Sequence, residues 1–186
     1  MSDKYRIGDQ RHAHFVTLTV MHWVDFFIRE EYRRVFVKSV EYCQQHKGLE
    51  VYGYCIMTSH VHMIVRTSEG DLENVMRDMK GYTSRCFHEL LTDERNNYES
   101  RKKWMLNLWR DKNTGKFQFW QNGNHSVELW SDEVFYQKMD YIHLNPVASG
   151  FVAQPEDWLY SSARDHAGLP GLISLAVNQS PGGRPM

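Results

Sequence analysis

The stretch Val51-Tyr52-Gly53-Tyr54-Cys55-Ile56-Met57-Thr58-Ser59-His60-Val61-His62-Met63-Ile64-Val65 decides the fold. It contains two runs rich in β-forming residues, separated by a polar turn at Thr58-Ser59, and so predicts two strands. Side chains alternate between the two faces of a strand, so His60 and His62 point to the same face. The opposite face carries apolar residues for a buried layer, namely Val61, Met63 and Val65.

The two histidines are candidate metal ligands. Imidazole suits divalent metals of borderline softness, and a carboxylate or amide oxygen can complete such a set. The alternative is that His60 and His62 are ordinary polar residues on an exposed strand face, since the chain has ten histidines.

The composition favours a single folded domain. A chain of 186 residues with six Trp, ten Tyr and nine Phe can bury a substantial core. No apolar run reaches about 18 residues, and Met1–Tyr5 starts no apolar signal core, so neither a transmembrane helix nor a secretory signal is predicted. The three widely spaced cysteines (Cys43, Cys55 and Cys86) fit no disulfide framework and are expected to be reduced. We therefore expect a cytoplasmic protein.

Hydrophobic periodicity predicts the other elements. Strands are expected at His14–Val20, Glu50–Met57, Val61–Arg66 and Lys116–Gln121, with His125–Leu129 in the same sheet region. Helices are expected at 29–46, at 72–91 after an Asp71 cap, and at 131–145, where Pro146 should end the last helix. The domain is expected to span residues 1–166, followed by a weakly ordered or docked tail at 167–186.

The charge of the chain is uneven. The net charge of −1 does not by itself indicate a nucleic-acid-binding protein. Residues 77–116, however, hold ten Lys or Arg and six Asp or Glu, a balance of +4 that leaves −5 for the remainder. Such a local excess can contact phosphates, although a solvated surface gives the same pattern. Within it, the polar segment Thr92–Gly115 is predicted to be a long, mobile insertion that faces DNA.

The same region supplies candidate DNA-binding residues. The run Lys80–Arg85 combines two cations with an aromatic ring, which suits single-stranded nucleic acid. The candidates are Lys80, Tyr82, Arg85, Arg101, Lys102, Lys103 and Arg110. A core-facing Tyr82 between solvated cations would explain the run equally well.

The predicted helix at 131–145 carries a second candidate site. Tyr141 and Asn145 are four residues apart, so they lie on one face of a helix. A phenol beside a metal-held phosphate can act as a nucleophile if the site helps it to lose its proton. The side-chain oxygen of Asn145 can be a third metal ligand. Alternatively, Tyr141 packs with its hydroxyl outward and Asn145 caps the helix end.

Taken together, the two sites resemble a known family. His60-Val61-His62 followed by Tyr141-x-x-x-Asn145-Pro146 resembles the single-tyrosine HUH transposases, and in particular their REP-associated tyrosine transposase branch. The matching segments are Met57–Val65, Phe119–Gln121, Tyr141–Val152 and Trp158–Ser162, in an order that covers about residues 12–166.

The resemblance implies an α+β fold, a ferredoxin-like sandwich with a central antiparallel sheet and flanking helices, called the HUH endonuclease fold. It implies a metal-dependent endonuclease and strand transferase that cleaves single-stranded DNA near hairpins. In the family, Mg²⁺ or Mn²⁺ is held by the residues matching His60, His62 and Asn145, and the residue matching Tyr141 forms a 5′-phosphotyrosine intermediate. A bacterial, nucleoid-associated protein is expected, either a monomer or a homodimer that exchanges the tyrosine helix.

The chain departs from the family pattern in two respects. Thr58-Ser59 stands where the family commonly has Pro-Asn, which should alter only the turn, and many relatives are more basic. Two other functions stay open: a non-cleaving, domesticated binder of structured single-stranded DNA or RNA, and a metal hydrolase of small substrates. The intact His60, His62, Tyr141 and Asn145 argue against the binder, and the hydrolase leaves the basic segment 77–116 without a purpose.

Overall fold

The computed structural model describes residues 12–69, 71–95, 99–123 and 125–177. Predictions for residues 1–11, for 96–98 within the polar segment and for the tail from residue 178 onward lie outside the described residues.

A four-stranded antiparallel sheet forms the middle layer of the molecule. Its strands are β1 (Ala13–Thr19), β2 (Leu49–Ile56), β3 (His60–Thr67) and β4 (His125–Leu129). They lie in the spatial order β2-β3-β1-β4, and each neighbouring pair is antiparallel. The β-branched and aromatic residues that predicted the strands fit this pleated surface, which is buried in most places.

Helices cover both faces of the sheet. They are α1 (Glu30–His46), α2 (Leu72–Thr92), α3 (Lys102–Leu108), α4 (Asp132–Ala148) and the short α5 (Ala163–His166). The side chain of Asp71 accepts a hydrogen bond from the Glu73 amide and caps α2, as predicted. This arrangement confirms the α+β sandwich.

The alternation along the strands builds two separate cores. On one face, the β3 residues Val61, Met63 and Val65 pack with β1 residues and with α1 and α2. On the other face, Phe15 and Ile64 pack with α4. His60 and His62 therefore lie on the α4 side of the sheet, opposite to the larger core.

An aromatic cluster closes the larger core. Its ring centroids lie 4.6–5.6 Å apart between Phe87, Phe119, Trp109 and Phe26. Trp109 follows α3 directly and is 1% exposed, and Met105 of the same helix is fully buried. The predicted loose insertion is therefore wrong for residues 102–109, because an i, i+4 apolar pair folds this part onto the core.

Two other element predictions need correction. Lys116–Gln121 forms isolated bridges, Val20 with Trp120 and Arg110 with Phe117, and β4 is the fourth strand. The reason is that Phe119 and Trp120 turn into the aromatic cluster. In addition, α4 continues through Pro146 to Ala148. A proline in the last turn removes only one helical donor, so the helix tolerates it there.

The segment after α4 covers the edge strand β2. The Ile56 amide donates to the Tyr160 carbonyl and the Ser162 amide to the Tyr54 carbonyl, both at 2.9 Å. Further along, the Ala176 amide donates to the Val51 carbonyl at 2.7 Å. These bonds satisfy backbone groups that an open sheet edge would leave exposed. Within the described ranges, no helix has the length and apolar character needed to cross a bilayer.

The packing of α3 predicts unequal effects of two nearby tryptophans. Trp109→Ala should lower the free energy of unfolding by about 3–5 kcal/mol, because it empties a fully buried site. Trp104→Ala is the matched control, since Trp104 lies five residues earlier, on α3, and is 52% exposed, and it should cost less than about 1 kcal/mol. Urea denaturation of both variants measures the difference, and equal losses would contradict the burial of Trp109.

Candidate functional site

The histidine pair and Tyr141 meet on the α4 side of the sheet. The ring centroids of His60 and His62 are 4.6 Å apart, and those of His62 and Tyr141 are 5.2 Å apart. Tyr141 is 49% exposed, whereas His62 is buried. A single chain thus brings the phenol next to the two imidazoles, and the phenol side of the cluster is open to solvent.

The pairing of β1 with β3 orients His62. Thr17 lies directly opposite His62 in the register, and its Oγ1 shares a hydrogen bond of 2.9 Å with His62 Nδ1. The ring of Phe15 stacks on the imidazole at 5.3 Å. Nε2 is buried and has no hydrogen-bond partner among the described residues. In the tautomer whose Nδ1–H donates to Thr17 Oγ1, the imidazole presents the Nε2 lone pair to the site.

His60 is held by contacts from three directions. Its Nδ1 shares a 3.2 Å hydrogen bond with Ser59 Oγ. The side chain of Asn145 is hydrogen-bonded to it from α4. The indole of Trp23 makes a T-shaped contact at 5.5 Å. Asn145 thus joins the cluster beside one of the two histidines.

Burial keeps both imidazoles neutral near pH 7. It lowers the pKa of His60, and it lowers the pKa of His62 to about 3 with smaller contributions from His60 and Lys138. Neutral imidazoles have a free lone pair, which is the form that binds a metal ion.

The donor set fits one divalent cation. No group of three or more His, Cys, Asp or Glu residues that could hold a metal occurs in the part of the chain that the structure describes. An amide oxygen from Asn145 would therefore be the third protein ligand beside two imidazole nitrogens. The orphaned, buried His62 Nε2 is the observation that supports a ligand at this point.

Lys138 is a member of the cluster that sequence reasoning missed. Its ammonium lies 5.0 Å from the ring centroid of Phe15 and 5.7 Å from that of Tyr141. The available signal was spacing, because Lys138 precedes Tyr141 by three residues and so shares its helix face. The site therefore contains one cation next to the phenol.

Contacts at Met139 and His143 help to seat helix α4 beside β2. A Cβ at Gly53 would lie 2.5 Å from Met139 Sδ, so the absence of a side chain lets the helix approach the strand. One turn further on, His143 Nε2 and Ser162 Oγ share a 2.9 Å hydrogen bond, and Ser162 Oγ accepts from the Tyr54 amide at 2.9 Å. Burial lowers the pKa of His143 to about 4.

The predicted DNA-binding residues make contacts of their own outside the histidine–tyrosine cluster. The Lys80 ammonium donates to the carbonyls of Gln121 and Gly123 at 2.8 and 2.9 Å, and burial lowers its pKa to about 8. Arg101 pairs with the buried Glu99 at 3.1 Å. The structure thus gives these two cations contacts within the protein. Lys102, Lys103 and Arg110 lie on or next to α3, and the last two are exposed.

Tyr82 and Arg85 line a separate cleft. The cleft has a volume of about 770 Å³ and lies between α1 and α2, on the side of the sheet away from α4. Its other cations are Lys38, Lys47 and Arg77. Lys47 and Arg77 both pair with Asp78, at 2.6 and 3.3 Å, which partly neutralises the cleft.

The fold and the histidine pair define a class of protein. A solved structure described as a REP-associated tyrosine transposase bound to a REP hairpin matches with a TM-score of 0.67 at 18% identity, covering 100% of this chain and 99% of that one. This likeness establishes the shared fold. The family model described as "Transposase IS200 like" matches residues 9–112, more than half of the chain. The chain therefore belongs to the IS200-like transposase family.

Individual relatives agree with this assignment. A Haemophilus influenzae protein, provisionally named a REP-associated tyrosine transposase, is 26% identical over 132 residues. That match covers 71% of this chain and 66% of the relative, so the chain spans just under two thirds of the relative's length. A structure described as a candidate transposase from Deinococcus radiodurans has a TM-score of 0.43, too low to carry an argument. The family match includes His60 and His62 but ends before Tyr141 and Asn145.

The buried His62 predicts a pH-dependent stability. The unfolded chain binds a proton at His62 near pH 6.5, whereas the folded chain does so only at about pH 3. The free energy of unfolding should therefore fall as the pH is lowered from 6.5 to about 3. The contribution of His62 to this fall is about 1.4 kcal/mol per pH unit. His62→Gln should reduce the slope by that amount, measured by urea denaturation in EDTA. Equal slopes in the two proteins would show that folded His62 takes up its proton near pH 6.5.

Proposed function

We propose that the protein is a metal-dependent single-strand DNA endonuclease and strand transferase with Tyr141 as its nucleophile. The observation that carries the proposal is the 5.2 Å separation of the His62 and Tyr141 rings within one chain. Tyr141 lies half exposed beside one buried and one partly buried imidazole, a placement that gives its hydroxyl access to both the solvent and the site. Membership of the IS200-like transposase family supports the same chemistry.

His60, His62 and Asn145 are the proposed ligands of Mg²⁺ or Mn²⁺. A bound divalent cation would draw charge from a phosphate and orient it for attack. Two imidazole nitrogens and one amide oxygen favour Mn²⁺ over Mg²⁺, because Mg²⁺ prefers an all-oxygen set. The hydrogen bond between Thr17 Oγ1 and His62 Nδ1 orients the imidazole, so that Nε2 would be the nitrogen that binds the ion.

The proposed reaction exchanges one phosphodiester bond for another. The hydroxyl oxygen of Tyr141 attacks the phosphorus and loses its proton, while the bond from phosphorus to the 3′ oxygen breaks and that oxygen takes up a proton. The products are a 5′-phosphotyrosine and a free 3′-OH. A second 3′-OH can reverse the step and join new ends, so no external energy source is required. Lys138, next to the Tyr141 ring, supplies a positive charge for the phosphate oxygens.

DNA with a hairpin is the proposed substrate. The solved relative with the same fold is described as bound to a REP hairpin, and the cluster on the α4 side is open to a strand at Tyr141. We infer that one chain completes the site, because α4 packs on its own sheet and brings Tyr141 to its own histidines. On this view a monomer is competent and exchange of the helix is not required.

Replacing the nucleophile tests the covalent step. Tyr141→Phe should abolish the covalent protein–DNA adduct on hairpin oligonucleotides with Mn²⁺, at least a thousandfold, while hairpin binding stays within about twofold. Tyr136→Phe is the matched control, because Tyr136 is also 49% exposed but precedes Tyr141 by five residues, about 140° around the helix axis. It should keep wild-type adduct formation, as detected on denaturing gels.

Other outcomes of the adduct experiment identify the alternatives. An adduct that persists in Tyr141→Phe and disappears in Tyr136→Phe would identify Tyr136 as the nucleophile. Hairpin binding with no adduct from the wild type would favour the non-cleaving binder. Turnover of a small ester without any adduct would favour a metal hydrolase.

Removing one proposed ligand tests the metal. Asn145→Ala should weaken Mn²⁺ binding by about 10–100-fold and lower the adduct rate at limiting Mn²⁺, with partial recovery at high Mn²⁺. Asn107→Ala, which changes an exposed residue of α3, should leave both unchanged. Mn²⁺ binding can be followed by electron paramagnetic resonance. Full adduct formation in EDTA would contradict a metal role.

A further inference from the structure

The turn between β1 and α1 has an unusual backbone. His22 and Trp23 have φ angles of 61° and 56°, and they are the non-glycine residues with positive φ among the described residues. This left-handed conformation is sterically unfavourable for residues with a Cβ, and here two such residues occur in succession. A strained turn of this kind persists only where the surrounding structure holds it.

Hydrogen bonds from the core hold the turn in place. The Met21 amide donates to the Phe119 carbonyl at 2.8 Å, and the Trp23 amide donates to the Val20 carbonyl at 3.0 Å. The indole nitrogen of Trp109 donates to the Met21 carbonyl at 3.1 Å. The turn is thus fastened to the aromatic cluster, which points the Trp23 side chain away from that cluster.

Trp23 ends beside the histidine pair while facing solvent. Its indole makes a T-shaped contact with the His60 ring at 5.5 Å, yet the residue is 59% exposed. The Thr58 hydroxyl donates to Asp25 at 2.6 Å, which ties the end of this turn to the turn before His60. The exposed indole beside His60 can offer its aromatic face to a ligand that binds at the site.

We propose that Trp23 is a positioning residue that stacks on a base of the single-stranded DNA next to the phosphate at His60. The inference rests on the proposed function for its substrate. Stacking on an indole is tolerant of base identity, because every base has a π face. The hydrogen bonds of the turn and the contact with His60 restrict the position of the ring, so a stacked base and its phosphate would be held in one position relative to His60 and Tyr141.

A comparison of DNA with and without bases tests the stacking. All variants carry Tyr141→Phe, so that bound DNA is not consumed, and binding is followed by fluorescence anisotropy. Trp23→Ala should raise the Kd for oligothymidine about tenfold or more, and Trp23→Phe should recover most of the loss. The same variants should bind an abasic oligonucleotide of equal length with unchanged Kd. Trp104→Ala, another half-exposed tryptophan, is the matched control and should change neither.

Three results would overturn the proposal. The first is an unchanged Kd for oligothymidine in Trp23→Ala, and the second is no binding of oligothymidine by the parent protein. The third is an equal loss on abasic DNA together with weakened Mn²⁺ binding, which would make Trp23 only a support for His60.

The outcome is separable from that of the proposed function. The protein with Tyr141 intact can show base-dependent binding through Trp23 and yet form no adduct. That result would support the stacking and contradict the proposed cleavage. Full adduct formation by Trp23→Ala with no loss of binding would support the proposed cleavage and contradict the stacking.

Discussion

The register between β1 and β3 is the constraint on which the rest of the structure depends. It pairs Thr17 with His62 and Leu18 with Val61. A slip of one residue would exchange the faces of the strand. The two imidazoles would then enter the apolar core between the sheet and α1, while Val61 and Met63 would face α4. The same alternation that buries the valines therefore places the histidines, so the stability of the core and the geometry of the site have one origin.

The two faces of the sheet serve different purposes. The face under α1 and α2 is closed by the aromatic cluster, and this cluster also holds the turn at His22 and Trp23. Each left-handed residue there costs on the order of 1–3 kcal/mol. The bond from Trp109 to the Met21 carbonyl and the burial of Trp109 itself offset that cost. The face under α1 and α2 thus supports the strained turn at His22 and Trp23, whose exposed indole lies at the edge of the α4 face.

Local patterns were sufficient for the parts of the fold that depend on near neighbours. Alternation predicted the two faces of β3, and Asp71 predicted the start of α2. Contacts between distant segments had no such signal. Met105 and Trp109 lie among cations and other apolar residues, and only packing on the aromatic cluster decides which of the apolar side chains are buried. The positions of Lys138 and Trp23 beside the site likewise depend on how α4 and the first turn pack, although the spacing of Lys138 from Tyr141 was a usable hint.

The position of the proposed nucleophile is set by packing at a distance from it. Along α4, Tyr141 lies between Met139, which packs over Gly53 of β2, and His143, which is hydrogen-bonded to Ser162 beside β2. The histidines lie on β3, which is paired to β2 through an irregularity between Val51 and Gly53. The separation of phenol and imidazoles therefore follows from backbone pairing and from a missing Cβ. Backbone packing holds the phenol beside the imidazoles without a direct bond between them. The solvent-exposed side of Tyr141 is therefore available for a substrate.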